Sequence, residues 1–214
     1  MATQQDFERI VEEKVDRFSD NRIFRLVDSG CIKMHDYHST LLMIFHQTYE
    51  SASAFSLAAA NCDPRHVVAK SYLMAHAEEE KDHWQWVISD LRTTGYQGKD
   101  PRELYPSPEC QAYVALNFYV AMRYPLARLA IAIVLETIGA RYGKTYATRV
   151  CELLSLRAEQ AKFFFGHGDT DVGHAADLLR VISETNLGEK DWDMMCHAAS
   201  TAGTFYTAMY NAAE

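Results

Sequence analysis

HAEEEKDHWQWVISDL, residues 76–91, mixes imidazole and carboxylate with a run of large apolar side chains. His76, Glu80 and His83 stand at i, i+4 and i+7, so on a helix they share one face. Tyr72, Leu73, Trp84, Val87, Ile88 and Leu91 surround that face with apolar bulk. Glu79 falls three residues after His76 and four before His83, at the border of the same face. Adjacent helical positions diverge by about 100°, so Glu79 and Glu80 do not readily serve the same ion. A Glu-x-x-His pair facing the inside of a bundle can bring a carboxylate and an imidazole to one cation. A solvated surface face would show the same spacing, so the pattern gains weight only from what surrounds it.

Outward from this stretch the period stays helical. Residues 5–18 place Phe7, Ile10, Val11, Val15 and Phe18 on one side. A short helix over 21–29 stops at Gly30, and Asp36 caps a long one running to Asn61, broken by Cys62-Asp63-Pro64. The helix bearing the quoted stretch is expected from Pro64 to Thr94. Residues 95–106 read as a loop, Ser107 caps the next helix, and Tyr124-Pro125 interrupts it before it resumes through Glu136 to Gly139. Further helices are expected over 144–165, 171–184 and 191–209. No Val/Ile/Thr-rich run bounded by turns suggests a strand. The expectation is an all-α chain, 1–214 as a single domain, with about seven to nine helices in one bundle.

Two further sets of polar residues are out of place on apolar faces. His167, Asp171 and His174 recur at spacings of four and three, a set of N and O ligands of the kind iron uses. Alternatively Asp169 or Asp171 caps a helix start here, with Gly166 and Gly168 disturbing the pattern before it. Glu136 is the only acid near the apolar segment 111–135, where an unpaired carboxylate needs a cation or a polar network. An arginine such as Arg123 or Arg128 is the other partner available to it. His46 and Glu50 share a face of the long early helix and stay open as further ligands, supporting residues or substrate contacts.

Composition narrows the class. With 48% hydrophobic and 23% charged residues, the chain reads as a globular protein. A net charge of −8 without a basic stripe argues against nucleic acid. The apolar run at 129–135 is too short to span a bilayer, and the N-terminal sequence is no secretory signal, so a cytoplasmic location is expected. Five scattered cysteines lack CxxC spacing and suggest neither a disulfide framework nor a thiolate zinc site.

With these residues assembled, the chain resembles the heme-oxygenase-like di-iron oxidases and oxygenases, a group related in fold to TenA/PqqC-like proteins. The likeness runs from the Phe24–Gly30 segment to the helix after His174. Glu80 and His83, Glu136, and His167, Asp171 and His174 take the places of the family's ligands, separated by 53 residues from His83 to Glu136 and 31 from there to His167. Some members have a Glu where this chain has His76, and others carry a Glu near His46 or Glu50. What completes the set therefore stays open among these and Glu79. The resemblance implies a heme-oxygenase-like fold, two iron ions and reductive activation of O2 as co-substrate. It also implies oxidation of a small molecule, an amino acid or derivative or a fatty acid, in biosynthesis. An external electron donor and a homodimer fit the same picture. The rivals are a metal-free thiaminase-like or cofactorless oxidase, a heme oxygenase and a non-enzymatic helical partner protein. A heme oxygenase would want a proximal histidine early in the chain, and the first 34 residues contain none.

Overall fold

Thr3 accepts the Asp6 N–H and the Asp6 carboxylate accepts the Thr3 N–H, a reciprocal cap that starts α1 (Gln4–Phe18). The computed structural model describes residues 2–213, leaving out the side chain of Asp169. After α1 come α2 (Arg22–Asp28), α3 (Met34–Asn61), α4 (Val67–Glu80), α5 (Trp84–Thr93), α6 (Pro108–Arg123), α7 (Ala127–Leu154), α8 (Lys162–Glu184) and α9 (Glu189–Ala212). Among the described residues there are nine helices and no strand.

α7 forms the spine. Leu129 to Val134 are each at most 2% exposed, and α7 packs on α8, α9, α1, α6, α2 and α3. A helix apolar all round in this way can exist only where neighbours cover every side of it. α3 packs on α4, α5 and α6, and α1 closes against α9. No helix among the described residues is long and apolar enough to cross a membrane.

The structure departs from the sequence reading at four places. The helix expected from Pro64 to Thr94 is two helices: α4 ends at Glu80 and α5 begins at Trp84. Between them His83 N–H bonds the Glu80 carbonyl and Trp86 N–H the His83 carbonyl, a tightened i to i+3 winding. The Trp84 indole N–H takes the Lys81 carbonyl. Such winding eclipses side chains three apart. It therefore aligns Glu80 with His83 more closely than a regular helix would.

The break expected after Gly139 is absent, and α7 runs through Gly139 and Gly143 to Leu154, where Ser155 turns the chain with φ 55°. The helix expected over 144–165 is therefore divided by residues 155–161. α8 in turn runs unbroken through Gly166 and Gly168. These glycines serve close packing. A side chain at Gly166 would press on the Trp86 ring and one at Gly168 on Lys144, while one at Gly143 would just touch Phe164 O and Gly168 Cα. α8 starts where it does because the buried Asp90 carboxylate accepts the Lys162 and Phe163 N–H groups. Asp171 is mid-helix and caps nothing, while the Asp169 side chain lies outside the described residues.

Candidate metal centre

Three helices and one turn deliver the polar residues to one place. α4 brings His76 and Glu80, the tightened turn His83, α7 Glu136, and α8 His167, Asp171 and His174. His76, Glu80, Glu136 and Asp171 are 1%, 5%, 9% and 4% exposed. Donor atoms of His76, Glu80, Glu136 and His174 form one group within 4.8 Å of one another, and those of Glu80, His83 and His167 a second. Glu80 belongs to both.

The hydrogen-bond pattern shows that these groups fit a cation. His83 Nδ1 lies 3.0 Å from Glu80 Oε1, and His76 Nε2 lies 3.3 Å from Glu136 Oε1. Both nitrogens are buried and neither has a hydrogen-bond partner. Buried polar atoms without a partner are rare and costly. A cation lying among them would satisfy nitrogen and oxygen together.

Ring orientation supports the same fit. The His167 Nδ1–H donates to the Phe163 carbonyl at 3.1 Å, and a carbonyl can only accept. The neutral ring must then carry its lone pair on Nε2, while burial pulls the imidazole pKa down and favours that neutral form. His76 Nδ1 faces the Tyr72 hydroxyl at 3.3 Å, and its ring stacks on Tyr72. Trp86 stacks on His83, which in turn meets His167 edge-on.

Charges in the metal-free protein are strongly shifted. Burial pushes Glu136 upward, but His174 and His76 outweigh it and hold the carboxylate well below its usual range. Glu80 is likewise lowered, the imidazoles of His83 and His167 overcoming burial. Asp171 is pushed up to about 10, first by burial and then by the neighbouring Glu136. His174 is raised by its bond to Glu136, whose Oε2 lies 3.3 Å from His174 Nδ1.

The remaining candidates separate cleanly. Glu79 is at the outer edge, with a side chain 55% exposed and Oε2 3.3 Å from His174 Nε2. His46 and Glu50 are not brought to the cluster; both line another cavity with Tyr49 and Arg102, and Glu50 also borders a small one beside Gln47, Ser51 and Arg128. Glu136 has no arginine partner among the described residues; its neighbours are the two histidines. Asp171 lies outside both donor groups but beside Glu136, its Oδ2 occupying the space where a side chain at Gly139 would begin.

A cavity of about 80 Å³ adjoins the cluster, lined by Glu80, Glu136, His167 and Asp171 together with aromatic rings such as Phe55 and Phe163. The sequence reading left Gln47 and Ser51 of this cavity unassigned and named Arg128 only as an alternative partner for Glu136. Arg128 alone had a signal there, a lone cation in the apolar run 126–135.

Helical order and the surroundings of the cluster define the class, a heme-oxygenase-like fold. The chain is similar to a Shewanella denitrificans OS217 domain of unknown function with that fold (TM-score 0.87, 18% identity, covering 99% of this chain and 91% of the other). It is similar also to a TenA homologue from P. horikoshii OT3 (TM-score 0.77, 13% identity, covering 100% and 98%). A heme oxygenase from Leptospira interrogans matches with TM-score 0.73 and 12% identity, covering 99% of each chain. No curated protein matches the sequence. The family model for iron-containing redox enzymes matches residues 39–204, and the chain belongs to that family.

Proposed function

We propose that this protein is a non-heme di-iron enzyme that uses O2 to oxidise a small, partly apolar molecule. The observation that carries the reading is the pair of donor groups sharing Glu80, with His76 Nε2 and His83 Nδ1 buried, unpartnered and facing carboxylate oxygens. One ion would be held by His76, Glu80, Glu136 and His174, the other by Glu80, His83 and His167, with Asp171 adding a carboxylate beside Glu136. Mixed imidazole and carboxylate sets of this kind suit iron. Two ferrous ions there would supply electrons for the reduction of O2 and direct the oxidation at a bound substrate.

The protein's own residues set the conditions for that chemistry. Glu80 ties the two positions together. The His167 bond to Phe163 and the Tyr72 contact with His76 fix imidazole orientation. The aromatic walls of the cavity keep water from the reacting substrate and hold its apolar part. Reducing equivalents beyond those of the substrate would come from a donor outside the chain.

A thiaminase-like reaction would need a nucleophile in the cavity, and none of the five cysteines lines it. A heme oxygenase would want an axial histidine on α1, which has none.

The test is oxygen uptake by protein loaded with iron or with zinc, given a reductant and panels of amino acids and fatty acids. Substrate-dependent uptake with iron alone supports the reading. Uptake at background with both panels, or turnover equal with zinc, refutes it.

A further inference from the structure

The same cavity is lined by a buried cation that forms no ion pair among the described residues. Arg128, in the first turn of α7, is 3% exposed, and its Nε and Nη1 have no hydrogen-bond partner. Its guanidinium lies over the Phe55 ring at 3.6 Å, which occupies one face and leaves the N–H groups in the plane of the guanidinium. Glu80, Glu136 and Asp171 line the same cavity and Glu50 a smaller adjoining one, yet none forms an ion pair with Arg128 among the described residues. A charge removed from water in this way is unfavourable unless an anion meets it.

Other unused donors gather around it. Gln47 and Ser51, four apart on α3 and so on one face, line both cavities beside Arg128. Neither side chain has a hydrogen-bond partner among the described residues. The Tyr113 hydroxyl, from α6, is buried, unpartnered and lines the smaller cavity with them. α3, α6 and α7 thus bring four donor-bearing side chains to these two adjoining cavities, and the carboxylates that also line them form no ion pair with Arg128 among the described residues.

We propose that Arg128, Gln47, Ser51 and Tyr113 form an anion subsite that binds the carboxylate of the substrate. This rests on the reading of the cavity as the substrate chamber of the metal centre. A planar carboxylate matches the in-plane N–H groups of a guanidinium stacked on its face. A single charge fits better than a dianion, because one cation faces three acids across a small cavity. Arg128 and Glu136 are eight residues apart on α7, about 12 Å along the helix. A substrate anchored by its carboxylate at Arg128 therefore presents a carbon some way along its apolar body, rather than the carboxylate, to the metal ligands.

The experiment is calorimetric titration of the metal-free protein with 3-phenylpropanoate and octanoate, and with the neutral amides of the same shape. Removing metal ensures that any preference for the acid does not come from coordination. The wild type is expected to bind an acid at least about tenfold more tightly than its amide. Arg128→Gln should erase that preference while leaving amide affinity within about twofold. Arg128→Lys should keep part of it, and Gln47→Leu should weaken the acid alone. The last two variants carry the test if Arg128→Gln does not fold. Equal binding of acid and amide, no saturable binding of either acid, or a preference that survives Arg128→Gln overturns the subsite. Iron content, measured separately, tells the two readings apart. An Arg128-dependent acid preference in a protein that takes no iron supports the subsite and refutes the di-iron centre.

Discussion

Glu80 and Glu79 are neighbours in sequence with opposite surroundings. Glu80 is buried and shared between both donor groups, whereas Glu79 reaches His174 from a largely exposed position. Glu80→Ala is therefore expected to lose most bound iron at both positions, and Glu79→Ala to keep two ions with a smaller loss of turnover. Metal analysis after dialysis decides, and the reverse order would place Glu79 as the ligand. Protonation supplies a second prediction at this scale. In the metal-free protein Asp171 is pushed up to about 10 and so holds a proton near neutrality, while the bond to Glu136 raises His174. Ligands must shed protons to bind a cation. Iron(II) binding should release at least about one proton, and affinity should fall as pH drops through neutrality. Titration in two buffers of different ionisation enthalpy measures the release; pH-independent affinity with no release would contradict it.

At the scale of elements, two contacts of α8 link stability to the site. Alanine normally favours a helix over glycine by about 1 kcal/mol. At Gly139 a Cβ would fall 1.7 Å from Asp171 Oδ2, so Gly139→Ala is expected to destabilise by about 1–3 kcal/mol and lower iron content. A stabilised variant with full iron would show that Asp171 can move freely. Asp90→Ala leaves the first N–H groups of α8 uncapped and should cost about 1–2 kcal/mol in denaturant unfolding. Burial raises Asp90 from 3.8 to about 6 in the fold. Across that window the native state holds a proton the unfolded chain has lost, so this group's contribution declines as pH rises from about 4 to about 6. The cost of Asp90→Ala should therefore be greater at pH 4 than at pH 7; the opposite trend would contradict the assignment. Element boundaries were legible in the sequence where Pro or a cap marked them, as at Asn61 and Tyr124. The break at 81–83 carries no Gly or Pro, and its tightened winding is marked only by hydrogen bonds. Gly139, Gly166 and Gly168 suggested interruption because a sequence shows the missing side chain without the neighbouring helix that fills its space.

For the whole molecule, periodicity was enough to indicate an all-helical bundle, and His/carboxylate spacing pointed to the helices whose polar residues the fold brings together. Spacing along one helix shows which residues share a face, but not which faces meet. It left His76, Glu79, His46 and Glu50 equivalent, and only packing of α4 against α8 sets His76 beside Glu136 and His174 and leaves His46 lining another cavity. Convergence of α3, α6 and α7 on Arg128 was beyond reach for the same reason, since its partners lie far apart in sequence. The central claim is that this fold gathers two cation positions around Glu80. Anaerobic titration of the metal-free protein with iron(II), followed by equilibrium dialysis and iron analysis, tests it most directly. The account predicts two iron ions retained per chain, and retention of one or none would contradict it.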